Sequence, residues 1–107
     1  VIVTESQISV HFRLTKLDAM QAYTLKREIE GAYFVKHEGS DIFVGMVPLK
    51  ETLFDELNDY LIRQQIHYDA CDIHVKAKRA DGEITVPKVV NKLLKYIDCK
   101  LTYAFSA

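Results

Sequence analysis

The sequence contains no tryptophan and only two cysteines, two prolines and four glycines. Two cysteines are too few for a disulfide scaffold, and their wide separation matches no zinc-ligand spacing. Each glycine stands alone, so there is no glycine-rich phosphate loop. No apolar run approaches the roughly 20 residues of a membrane span, and the first residues do not follow the pattern of a signal peptide. We therefore expect a cytoplasmic protein that does not enter the membrane.

The two cysteines follow the apolar faces of predicted strands. Cys71 alternates with Ile73 and Val75, and Cys99 alternates with Leu101. We expect two reduced, buried thiols that pack as small hydrophobic groups. A disulfide is the alternative, and it would indicate an oxidising compartment.

Catalytic signals are weak throughout the chain. A buried thiol is inert, and no serine lies in a nucleophile elbow. The best metal alternative is His11 with Asp72 and His74, two histidines and a carboxylate that come together only if their strands pair. We interpret these side chains as solvated or hydrogen-bonded, and so expect no enzyme activity, no cofactor and no metal.

Alternation and helical periodicity predict the fold. Residues 8–15 and 71–78 alternate apolar and polar side chains, which is typical of strands with one buried face. Thr15 and Asp18, in capping-box spacing, predict the start of a first helix. Polar residues 38–41 predict a hairpin turn, a second helix runs to about residue 65, and Pro87 opens a third. A fourth strand is expected from residue 67, a short return strand over 84–86 and a last strand over 100–105.

This element order predicts an α+β fold in a single domain, residues 1–107. The first part has the βαββαβ order of a ferredoxin-like sheet with helices on one face. A C-terminal helix and strand extend it.

The predicted hairpin is apolar on both faces. Tyr33, Phe34 and Phe43 belong to strands whose side chains need cover on both sides of the sheet. Either the hairpin lies inside a layered sheet, or an aromatic patch contacts another chain. Because helices are expected on one face only, we favour a partner-binding patch.

Two helices are predicted to carry stripes of opposite charge. Glu51, Asp55 and Asp59 recur at helical spacing and predict either a solvated face or an acidic docking surface. The net charge is −1 at pH 7, yet residues 1–75 carry 12 acidic and 7 basic side chains whereas residues 76–107 carry 3 and 7. The basic excess includes a stripe that would suit phosphate groups, and its members are Lys88, Lys92 and Lys95.

From residue 53 to residue 105 the sequence resembles a family of small bacterial α/β proteins. The resemblance rests on an amphipathic helix, the strand around Ile73, a polar glycine turn, Pro87 opening a helix, and a closing strand around Thr102. Some members of that family are regarded as immunity proteins encoded beside secreted toxins. The N-terminal half departs from the family, and no site residues carry over.

The sequence therefore predicts a non-enzymatic protein-binding domain. The resemblance implies that this domain is an immunity or inhibitor protein that covers the active site of a toxin. The other form of the protein-binding hypothesis is a self-associating module, for example a dimer. A small-ligand-binding regulatory domain is an alternative. Nucleic-acid binding through the lysine stripe is a second alternative, disfavoured by the pI near 6.5 and by the absence of a basic and aromatic signature on the sheet.

Overall fold

The computed structural model describes residues 8–78 and 87–106, which form five strands and three helices. Two single-turn 3₁₀ segments, Glu51–Leu53 and Tyr68–Ala70, precede the second helix and the fourth strand. The elements in chain order are β1 (Ile8–Leu17), α1 (Ala19–Glu28), β2 (Tyr33–Lys36), β3 (Phe43–Pro48), α2 (Phe54–Arg63), β4 (Cys71–Lys78), α3 (Lys88–Leu94) and β5 (Lys100–Ser106).

The five strands form one sheet in the order β2-β3-β1-β4-β5. β1 lies at the centre and pairs antiparallel with β3 on one side and with β4 on the other. β2 is antiparallel to β3, as expected for a hairpin. β5 runs parallel to β4, an arrangement that needs a crossover connection, and α3 lies in that connection.

All three helices pack on one face of the sheet. The alternation of β1 and β4 places Phe12, Leu14, Ile73 and Val75 on this face, and none of the four is exposed to solvent. The buried side chains of the helices belong to the same hydrophobic cluster. They include Leu25 of α1, Leu57, Tyr60 and Leu61 of α2, and Val90 and Leu93 of α3.

Gly45 of β3 explains how closely α1 approaches the sheet. It pairs with Leu14 of β1 and faces the helices. A β-carbon at this position would lie 2.5 Å from Cδ2 of Leu25 and 2.9 Å from Cδ1 of Leu17. The missing side chain therefore makes room for two leucines of the core.

The first helix begins differently from the prediction. Its N-cap is Asp18, whose carboxylate accepts a hydrogen bond from the backbone N–H of Gln21 at 2.7 Å. The Gln21 side chain in turn accepts from the backbone N–H of Asp18, which completes a capping box. Thr15 lies in β1, and its hydroxyl donates to the carbonyl of Ala70 at 2.9 Å.

The mixed α+β class is confirmed, with a five-stranded sheet and three helices over the described residues. The order of all five strands differs from that of a four-stranded ferredoxin-like sheet, because β5 adds a parallel strand beside β4. β4 begins at Cys71 rather than at residue 67, since residues 68–70 form a 3₁₀ turn. The predicted return strand over 84–86 lies outside the described residues.

Candidate functional site

The sheet has a second face, opposite the helices, which we call the open face. Within residues 8–78 and 87–106, no helix packs against it. The strand registers determine which side chains share this face. They are Ser9, His11 and Arg13 of β1, Tyr33 and Val35 of β2, Val44, Met46 and Pro48 of β3, Asp72, His74 and Lys76 of β4, and Lys100, Thr102 and Ala104 of β5.

One end of the open face is apolar. Tyr33 and Val35 of the edge strand β2 are 42% and 57% exposed. Their register partners Met46 and Val44 on β3 are half-buried beside them. We call these four residues the apolar end. They form a contiguous hydrophobic surface on the face that the described helices leave uncovered.

The centre of the open face contains a partly buried ion pair. Arg13 Nε donates to Oδ1 of Asp72 at 2.7 Å, and a second guanidinium N–H donates to Oδ2. The hydroxyl of Thr102 also donates to Oδ2, at 2.9 Å. Burial opposes ionisation of Asp72, but the hydrogen bonds from Arg13 and Thr102 outweigh it and lower the pKa of this carboxyl below its usual value. The network links the three strands β1, β4 and β5.

Two histidines are directly opposite each other on β1 and β4. His11 and His74 are register partners, and the hydroxyl of Tyr33 lies 3.4 Å from Nε2 of His11. Burial lowers the pKa of His11, and the neighbouring His74 lowers it further. Burial also lowers the pKa of His74. The positive charges of Arg13 and Lys76 lower this pKa further, whereas the negative charge of Asp72 raises it. Both imidazoles are therefore held towards the neutral form.

The histidines do not form the metal-ligand set considered from the sequence. Both carboxylate oxygens of Asp72 accept hydrogen bonds from Arg13 or Thr102. In the part of the chain that the structure describes, no group of three or more His, Cys, Asp or Glu side chains is placed to hold a metal ion. Arg13 and Lys76 beside His74 also disfavour a cation electrostatically.

The predicted aromatic patch is divided by the sheet. Tyr33 lies on the open face, where its ring contacts His11 edge-on. Phe34 and Phe43 lie on the helix face, with their ring centroids 5.4 Å apart. Phe34 also packs edge-on against Tyr23 of α1 and lies under the ammonium of Lys26. The three residues therefore do not form one surface.

The predicted acidic stripe lies on the helix side of the molecule. Glu51 accepts a hydrogen bond from Lys92 of α3 at 2.9 Å. Asp59 pairs with Arg63 one turn later, and Arg63 also reaches Glu28 of α1. Two of the three carboxylates of the stripe are thus already paired with basic side chains.

The lysine stripe is interleaved with the acidic one. Lys92 and Lys95 line a cleft of about 350 Å³ together with Glu51 and Asp55. Lys88, one turn before Lys92 on α3, lines a separate groove of about 380 Å³ between the start of β1 and the end of β3. The three lysines therefore do not present one uniformly basic surface.

Both thiols are free. Cys71 is buried and Cys99 is half-buried. Burial raises the pKa of Cys71 to about 12 and that of Cys99 to about 11, so both are protonated at neutral pH. Such thiols are poor nucleophiles at neutral pH.

Sequence reasoning missed the network of Arg13, Asp72 and Thr102. The alternation of β1 and β4 was a usable signal, because the polar residues of both strands share one face of the sheet when the strands pair. It required the register between β1, β4 and β5, which alternation alone does not provide.

Comparisons of the chain with protein-family models, with curated proteins and with solved structures found no match. None of the helices over residues 8–78 and 87–106 has the length and apolar character needed to cross a bilayer.

Proposed function

We propose that this chain is a non-enzymatic protein-binding domain and that the open face of its sheet is the binding surface. The observation that carries the proposal is the apolar end, where Tyr33 and Val35 are about half-exposed next to Val44 and Met46. Contiguous apolar surface of this kind is typical of interaction sites, and tyrosine and methionine are favoured at interface centres.

The charge of the strands supports an acidic partner. Among the open-face residues named above, Arg13, Lys76 and Lys100 are basic and Asp72 is the single acidic residue. That carboxylate is already neutralised by Arg13. Lys76 and Lys100 are exposed on the open face, at the opposite end from the apolar end. A protein surface that combines apolar and acidic groups would match this distribution.

The state of the reactive side chains supports binding rather than catalysis. Asp72 and Arg13 neutralise each other, and the thiols of Cys71 and Cys99 are protonated. A catalytic group needs a pKa matched to its proton transfer or nucleophilic step. Binding needs only surface shape and charge.

The resemblance noted in the sequence supports one form of this function. In that form the chain is an inhibitor or immunity protein of the cytoplasm, which binds a toxin and covers its active site. A second copy of the chain is the other partner to test, because an exposed sheet face can also stack on its own equivalent.

We also propose that β1 to β4, with α1 and α2, are a ferredoxin-like unit extended by α3 and β5. The partial order β2-β3-β1-β4 and the antiparallel pairing of its neighbours support this assignment. The position of α1 and α2 on one face also agrees with it.

The test is affinity capture with three variants that keep the fold, as checked by circular dichroism. Tyr33→Ala/Val35→Ala truncates the apolar end. Tyr23→Ala/Ile62→Ala is the matched control, because Tyr23 and Ile62 are exposed apolar residues on the helix side. Glu51→Lys/Asp55→Lys reverses charge on the acidic stripe.

Proteins from the source cells that bind the wild type should be retained by the control. They should be depleted more than about tenfold by the apolar-end variant, because truncating an aromatic residue that anchors an interface typically costs about 2 kcal/mol or more. If captured proteins are lost only by the charge-reversal variant, the binding surface is the acidic stripe and not the apolar end. Sedimentation of the purified chain identifies self-association, and equal capture by all variants would contradict the proposal.

A further inference from the structure

The two cysteines, distant in the sequence, come together at one end of the β4–β5 pair. Asp72 of β4 is the register partner of Lys100 of β5, and the two strands are parallel. Cys71 and Cys99 each precede these partners by one residue. Adjacent strands lie about 4.8 Å apart, which is within the range of Cα separations, about 4.4 to 6.8 Å, that a disulfide spans.

Both side chains point towards the helices. Cys71 directly precedes Asp72, whose side chain lies on the open face, so the Cys71 side chain lies on the helix face. It belongs to the hydrophobic core there. Cys99 packs against the same core. After burial, the neighbouring Cys99 contributes to the raised pKa of Cys71, in agreement with the placement that the register gives.

The two thiols differ in access. Only 2% of Cys71 is exposed, whereas Cys99 is half-buried and precedes the edge strand β5. Burial also raises the pKa of Cys99 less far, to about 11 compared with about 12 for Cys71. A reagent from solution should therefore reach Cys99 first.

We propose that Cys71 and Cys99 are a redox pair that forms an intramolecular disulfide on reaction with a small-molecule disulfide, with Cys99 as the entry thiol and Cys71 as the resolving thiol. This inference does not depend on the protein-binding function proposed above.

The reaction proceeds by two exchanges. The Cys99 thiol loses its proton to solvent, and its sulfur attacks one sulfur of the reagent, which releases one small thiol and leaves a mixed disulfide on Cys99. The Cys71 sulfur then attacks the Cys99 sulfur, and the Cys71 proton passes to the departing small thiolate, which leaves as the second small thiol. Two S–H bonds are lost, one protein S–S bond forms, and the reagent disulfide is reduced to two thiols.

The bond would tie the edge strand to the sheet. β5 is the last strand of the described sheet and pairs only with β4 there. A covalent link at Cys99, the residue just before this strand, restricts opening of this edge. It also reduces the conformational freedom of the unfolded chain over the segment between the cysteines.

The test uses oxidised glutathione on the folded chain in mildly alkaline buffer, with mass spectrometry of the intact protein. The wild type should lose two hydrogens and both titratable thiols. Cys71→Ser should instead retain one glutathione on Cys99, since no resolving thiol is present. Cys99→Ser should stay unmodified while folded, because Cys71 is buried.

Circular dichroism before oxidation confirms that each variant is folded. The same chains in denaturant show that both thiols react when exposed. Wild-type protein that carries two glutathiones, or that stays reduced when its Cys71→Ser variant is modified, would overturn the inference. So would glutathione on the folded Cys99→Ser variant at the rate seen for Cys71→Ser.

Discussion

Asp72 shows how a charged residue is accommodated on the open face of a sheet. Only 7% of the residue is exposed, although no described helix covers it. Its neighbours Arg13 and Thr102, from the two adjacent strands, supply three hydrogen bonds to its carboxylate. A buried charge is tolerable when it is paired and its lone pairs are satisfied. Removing one member of the pair should therefore lower the free energy of unfolding by more than the intact pair adds to it.

We predict that Asp72→Asn lowers the free energy of unfolding by about 1 to 3 kcal/mol at neutral pH, measured by urea denaturation. The amide keeps the size of the side chain but leaves the Arg13 guanidinium without its counter-charge. The folded-state pKa of Asp72 lies below 3.8, so its contribution is complete above that pH and disappears as pH falls through the folded value. The difference between wild type and variant should accordingly shrink in acid.

Asp69→Asn is the matched control, because Asp69 is an exposed carboxylate on the 3₁₀ turn just before β4. It should change stability by less than about 0.5 kcal/mol. Adding Arg13→Met to Asp72→Asn should cost less than the sum of the two single changes. Strict additivity would show that the pair is not coupled.

At the scale of elements, alternation was the reliable signal. It identified β1 and β4 and the face that each buries, because a period of two fixes side-chain direction as soon as one face is apolar. The hairpin is apolar at both parities, so its pattern could not say which side chains face the helices. The sequence therefore grouped Tyr33 with Phe34 and Phe43, although the sheet separates them.

Local chemistry was less decisive at element boundaries. Thr15 and Asp18 both suit the N-cap position of α1. Because the Thr15 hydroxyl is hydrogen-bonded to the carbonyl of Ala70, Asp18 is the N-cap. The pairing of β5 with β4 was beyond the sequence pattern, since it depends on a crossover through α3. The ion pair, the histidine pair and the neighbouring cysteines all follow from strand register, which no single strand specifies.

The pairing of β1 with β4 makes stability depend on pH through His11 and His74. Both have folded-state pKa values below the ordinary 6.5, so the unfolded chain binds protons more readily. Their contribution is therefore complete above 6.5 and is lost as pH falls through the folded values. The groups that surround the pair are Tyr33, Arg13, Asp72 and Lys76.

We predict that the wild type loses stability as pH falls below 6.5 and that His11→Gln/His74→Gln loses less over the same interval. Urea denaturation across a pH series measures the slope. His37→Gln, in the exposed hairpin turn, is the control and should follow the wild type. A double variant with the wild-type slope would contradict the assignment of this pH dependence to the pair.

At the scale of the whole molecule, the sheet order determines which part is hardest to open. β1 is central, pairs on both sides, and buries Phe12 and Leu14 completely against the helices. β2 is an edge strand of four residues, and three of them are exposed. Opening β1 separates the two halves of the sheet, whereas β2 can detach while the core stays intact.

We predict that native-state hydrogen exchange of the β1 amides requires global unfolding, while the β2 amides exchange through local opening. Exchange rates measured by NMR at increasing urea should show strong denaturant dependence for β1 and weak dependence for β2. The Cys71–Cys99 disulfide should slow exchange in β5 without changing β2, which lies at the other edge. If the β2 amides are as well protected as the β1 amides, the independent opening of β2 predicted from the sheet order is wrong. If their protection also increases with protein concentration, a second copy of the chain covers that edge.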